Sequence, residues 1–104
     1  MSGPASPDAA PKSATNRLTR TVTICNQRGL HARAAAKFVK LVAEFNAEIW
    51  VERNGTEVGG QSIMGLMMLA AGIGTEIAIA AAGPQAAEAL AALASLVERG
   101  FDED

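Results

Sequence analysis

From Leu18 onward the hydrophobic positions change period several times, and each change marks an element. Thr21-Val22-Thr23-Ile24 is β-branched throughout, so residues 18–25 read as a strand with Val22 and Ile24 facing inward. Gln27-Arg28-Gly29 breaks that strand. Ala35, Phe38, Val39 and Val42 then recur at helical spacing, which predicts an amphipathic helix over 32–45. Period two returns over 48–53, with Ile49 and Val51 on one face and Trp50 on the other. Asn54-Gly55 is a hairpin turn, and 56–59 is its short return strand. Ser62 has the chemistry of an N-cap. The helix it opens puts Ile63, Leu66, Met67 and Ala70 on one inward face, until Gly72 and Gly74 end it. Residues 75–81 read as a strand with Ile77 and Ile79 inward. Pro84 fits the first turn of a last helix, lined on one side by Ala86, Leu90, Leu93 and Val97. The closing Asp102-Glu103-Asp104 reads as a solvated acidic tail.

The order strand–helix–strand–strand–helix–strand–helix defines an α+β domain: an antiparallel or mixed sheet with its helices on one face. Before it, residues 1–17 hold Pro4, Pro7 and Pro11 and no branched apolar side chain. Burial there cannot offset the entropy of ordering, so 1–17 is expected to be a disordered tail and 18–104 the folded domain.

Composition narrows the function. With 104 residues and a formal net charge of -2, the chain is one domain without a bulk cationic field for nucleic acid or anionic lipid. Three Phe, one Trp and no Tyr leave few platforms for stacking bases. Cys25, the single cysteine, excludes an internal disulfide and reads as a small buried hydrophobe. One histidine and one cysteine are too few soft ligands for a zinc site, and no cofactor-binding glycine fingerprint occurs. No apolar run reaches the roughly 20 residues of a membrane span, and the first residues lack the charged start and apolar run expected of a signal peptide. The expectation is a cytoplasmic monomer with no metal, no cofactor, no nucleic-acid partner and no membrane insertion.

His31, the only histidine, stands where the broken loop meets the first helix, in Gly29-Leu30-His31-Ala32-Arg33. The first amides of a helix lack partners and its dipole is positive there, so this is a place for an anion. Arg33 adds a cation suited to phosphate oxygens, and the same field disfavours imidazolium, leaving a neutral, nucleophilic ring. A plain capping or loop histidine remains open on the residues alone. Seven of the nine basic residues fall between Asp8 and Glu44, and Arg33, Lys37 and Lys40 share a helical face beside His31. That face suits an acidic or phosphorylated partner, or is simply solvated. Ser62 is either a plain N-cap or a cap that tolerates phosphorylation. Met64 and Met68 exceed what one helical face buries, which suits adaptable protein contact or extra core filling.

Gly29-Leu30-His31-Ala32-Arg33, Gln61-Ser62-Ile63-Met64 and Gly74-Thr75-Glu76-Ile77 together resemble the histidine-containing phosphocarrier (HPr) family of the phosphoenolpyruvate-dependent phosphotransferase system. The resemblance runs from about Arg20 to Val97. It implies an open-faced β-sandwich, a four-stranded antiparallel sheet with three helices on one face. It implies a relay rather than a turnover enzyme. His31 would accept a phosphoryl group on Nδ1 from an enzyme I-type protein and pass it to a histidine of an enzyme IIA-type protein. Arg33 and the amides of Ala32, Arg33 and Ala34 would hold the group. Ser62 matches the regulatory serine that an HPr kinase/phosphorylase modifies, and Ala36, Lys37, Lys40, Ile63, Met64 and Met67 match the docking surface. Ala34 departs from the family, which most often has proline there. Ala34-Ala35-Ala36 and the 62–67 segment resemble the nitrogen-related branch (NPr) more than a sugar-uptake carrier. Two alternatives follow: a purely regulatory interaction protein acting through Ser62 and the His31 face, and a ferredoxin-like module binding amino acids or RNA.

Overall fold

The structure, a computed structural model, describes residues 17–103. The expected disordered tail lies outside the described residues except for Arg17. The elements are β1 (Leu18–Thr23), α1 (Ala32–Val42), β2 (Glu48–Arg53), β3 (Thr56–Gly59), α2 (Ile63–Met68), β4 (Glu76–Ala82) and α3 (Ala86–Glu98), then a 3-10 turn (Gly100–Asp102). The four strands form one sheet in the order β1-β4-β2-β3, every pair antiparallel. The three helices cover one face, completing the α+β open-faced sandwich.

Period two decides which side of the sheet each residue takes. Val22, Ile49, Val51, Ile77, Ile79 and Ala81 point under the helices and are buried. They meet Phe38 and Val42 from α1, Leu66 and Leu69 from α2 and its cap, and Leu93, Ala94 and Val97 from α3. On the other face, Trp50 lies in register with Ala80. Arg17 stacks over the Trp50 ring at 3.7 Å and pairs with Glu57, so it reaches across the open face rather than belonging to a loose tail. Asn54 and Gly55, with φ of 52° and 84°, make the tight turn of the β2–β3 hairpin.

Three expectations are corrected. The first helix stops at Val42, and Phe45 packs against the core from the connection that follows. In α2 only Leu66 is buried; Ile63 and Met67 are exposed, because the helix has six residues and the chain turns away at Ala70, φ 53°. The apolar period therefore breaks before Ala70, and Leu69 enters the core in its place. Cys25 is exposed, not buried, as it should be one position beyond the inward Ile24.

Candidate functional site

The site is built by the connection between β1 and α1. Gly29 is left-handed at φ 66°, and a Cβ there would lie 2.5 Å from the Ala71 carbonyl oxygen, so both conformation and space require glycine. That close approach lets the Leu30 amide donate to the same oxygen at 2.9 Å, pinning the loop to the segment after α2. Asn26, buried, closes the turn: its carbonyl accepts from the Gly29 amide and its Nδ2 donates to the Gly29 carbonyl at 2.9 Å.

His31 follows as the N-cap of α1, with extended backbone (φ -83°, ψ -178°). Its side chain caps nothing. Its carbonyl accepts from the Ala35 amide at 2.8 Å, and the amides of Ala32, Arg33 and Ala34 have no acceptor among the described residues. The ring is instead turned to the far end of the chain. Nε2 donates to Glu103 Oε2 at 2.5 Å, while Nδ1 has no partner among the described residues. A neutral ring in this contact carries its proton on Nε2 and its lone pair on Nδ1.

Glu103 corrects the reading of 102–104 as a solvated tail. Asp102 is exposed and pairs with Arg99, and Asp104 lies outside the described residues, but Phe101 is wholly buried and draws Glu103 to the site. Glu103 Oε1 accepts from Asn26 Nδ2 at 3.0 Å. Its carboxyl is held below the ordinary value of 4.5, first by the Asn26 hydrogen bond, then by that of His31, with the charges of His31 and Lys37 assisting and burial opposing. Lys37 Nζ donates to the Phe101 carbonyl at 2.7 Å, so this member of the expected docking face also fastens the chain end. Arg28, Arg33, Lys37, Asp102 and Glu103 line one shallow cavity, three cations against two carboxylates.

The other expected residues divide between two adjacent helices. Ala36 and Lys40 are exposed on α1, and Ile63, Met64 and Met67 are exposed on α2, which packs beside it. Met68 and Ile73 are exposed as well. The Ala34 side chain is buried, so only its amide can face an anion. Ser62 Oγ accepts from the Gly65 amide at 2.9 Å, which makes the serine a working N-cap, half-buried. Sequence reasoning missed Asn26 and Glu103. The one signal was Phe101, a large apolar residue inside an otherwise polar end.

Residues 18–99 match the family described as the PTS HPr component phosphorylation site. The phosphocarrier protein HPr of Neisseria meningitidis serogroup A is 46% identical over 86 residues, covering 83% of this chain and 97% of that protein. The phosphocarrier protein NPr of Escherichia coli K12 is 44% identical over 88 residues, 84% of this chain and 98% of that protein. The crystal structure of HPr-C-His from Thermoanaerobacter tengcongensis superposes with a TM-score of 0.80 at 40% identity, covering 84% of this chain and 98% of that one.

Proposed function

The chain belongs to the HPr family of phosphocarrier proteins of the phosphotransferase system, and on that premise we propose that Nδ1 of His31 is the atom that carries the phosphoryl group. The donor is an enzyme I-type protein charged by phosphoenolpyruvate, and the acceptor is a histidine of an enzyme IIA-type protein. One observation carries the reading: the nitrogen of His31 without a partner lies at the start of α1, whose first three amides also have none. A phosphoryl group on Nδ1 would bring oxygens to those amides and to the positive end of the helix dipole. Arg33, and beside it Arg28, supply cations that a dianionic group needs.

The partner surface is the adjoining exposure of Ala36 and Lys40 on α1 with Ile63, Met64 and Met67 on α2. Flexible methionines beside Lys40 suit successive acidic partners that share no single shape. A monomer presents this face to each in turn. Ser62 is the regulatory position. Phosphate there would lie on the rim of the same face and would replace a hydroxyl that already accepts an amide hydrogen, so repulsion of acidic partners rather than unfolding is the consequence.

The test incubates the full chain with phosphoenolpyruvate and an enzyme I, sugar-type and nitrogen-type in parallel, then adds the matching IIA protein. Acid-labile label on the wild type that passes to IIA, and no label on His31→Ala with an unchanged fold, is the expected result. Undiminished labelling of His31→Ala refutes it. The faster enzyme I assigns the branch.

A further inference from the structure

We propose that Glu103 is a positioning residue for phosphoryl transfer, holding the His31 ring through Nε2 so that Nδ1 carries the attacking lone pair. This rests on the reading of His31 as acceptor. The chain end is built for the contact. After α3, Phe101 and Asp102 both adopt left-handed backbone, φ 58° and 60°, which L side chains hold only where the surroundings enforce it. Burial of the Phe101 ring and the bond from Lys37 Nζ to the Phe101 carbonyl supply that enforcement. The resulting reversal returns Glu103 to the start of α1.

Both carboxylate oxygens are then used. Oε1 accepts from Asn26 Nδ2 and Oε2 from His31 Nε2. Because Asn26 Nδ2 also holds the Gly29 carbonyl, a single amide ties the carboxylate to the loop that carries the histidine. This two-point hold fixes the plane of the carboxylate and with it the ring. Neutral imidazole otherwise divides its proton between two nitrogens; an anion accepting from Nε2–H selects the tautomer with the lone pair on Nδ1.

The step balances without a proton leaving. The bond from phosphorus to the donor breaks and its electron pair stays with the donor. The Nδ1 lone pair forms the new N–P bond. The Nε2 proton stays in place, and the positive charge the ring acquires lies against Glu103. The other charged groups around Glu103 are Arg28, Arg33 and Lys37 on one side, with Asp102 engaged by Arg99, and on the other side Arg99 itself and Glu98, which pairs with Arg20. The carboxylate is therefore kept ionised by its surroundings, in accord with its lowered pKa.

The experiment compares the full-length wild type with Glu103→Ala and Glu103→Gln. It reads the initial rate of labelling by phosphoenolpyruvate and enzyme I, and the 15N signals of the His31 ring. A known HPr labelled in parallel establishes that the donor is active. In the wild type Nδ1 reads as the unprotonated nitrogen of the neutral ring. Glu103→Ala mixes the tautomers and slows labelling about tenfold, the low end of what loss of a carboxylate behind a histidine costs. Glu103→Gln, whose amide oxygen still accepts from Nε2–H, restores the tautomer and part of the rate. A wild-type rate in Glu103→Ala, or a slow rate with an unchanged tautomer, overturns the proposal and leaves His31 as acceptor. Absence of label on His31 in the wild type overturns the acceptor reading and the proposal together.

Discussion

Replacing Phe101 by alanine separates two ways in which this fold can lose a buried ring. The ring is wholly inaccessible, like that of Phe38 in the middle of α1. If the backbone around position 101 stayed docked, the loss would be the usual about 3–5 kcal/mol for a buried phenylalanine. Phe101, however, lies beyond α3 in the 3-10 turn rather than inside a helix, and both it and Asp102 are held in left-handed backbone. Release of the chain end returns about 1–2 kcal/mol at Phe101 and little at Asp102, because aspartate visits left-handed backbone more readily, so the variant takes this cheaper route. The expected loss for Phe101→Ala is about 2–3 kcal/mol, against about 3–5 kcal/mol for Phe38→Ala, which has no such escape. Urea unfolding followed by Trp50, the single tryptophan, measures both. With a slope of about 1 kcal/mol per molar for a small domain, Phe101→Ala lowers the midpoint by about 2–3 M. Equal losses in the two variants would refute the releasable chain end. A loss under about 0.5 kcal/mol, typical of a surface site, would refute the burial itself. Release also takes Glu103 from His31, so labelling slows as in Glu103→Ala; a wild-type rate would break that link.

Gly29→Ala meets both a left-handed φ and the Ala71 oxygen at 2.5 Å, and is expected to cost about 2–3 kcal/mol and to slow phosphorylation. Gly55→Ala, with a similar φ but open space, costs only about 1 kcal/mol in the same urea assay; equal costs would dismiss the close approach. Arg33→Ala slows transfer from enzyme I while His31 still accepts label, and an unchanged rate removes Arg33 from the mechanism. Because the folded pKa of Glu103 is depressed, its contribution to docking is present above the ordinary value of 4.5 and is lost as pH falls through the lowered folded value. Loss of docking, read from the Phe101 ring resonances, should therefore set in only in acid, below that ordinary value; undocking already complete above it contradicts the assignment.

How much was legible follows from how local each feature is. The strand over 48–53 is read to the residue, since Ile49, Trp50 and Val51 need only alternation and a hairpin to place them. His31, Arg33 and the amides beside them are equally local, because a glycine-broken loop before a helix leaves the first amides without acceptors whatever lies elsewhere. Helix ends fared worse: α2 ends after six residues because Ala70 turns left-handed, which apolar spacing does not report. Cys25 was misplaced although alternation from Val22 and Ile24 already put it outward. Glu103 reaches the site from 72 positions beyond His31, and its bond to Asn26 spans 77; no period encodes contacts at such separations. Arg17 lies on Trp50 for the same kind of reason, through pairing with Glu57 at 40 positions.

The central claim is that His31 receives phosphorus on the nitrogen that Glu103 leaves open. The direct measurement is NMR of the protein carrying 15N-labelled histidine after phosphorylation by phosphoenolpyruvate and enzyme I, reading which ring nitrogen couples to phosphorus. Coupling to Nδ1 of His31 is the predicted result. Coupling to Nε2, or a phosphate placed on any other residue, contradicts the account.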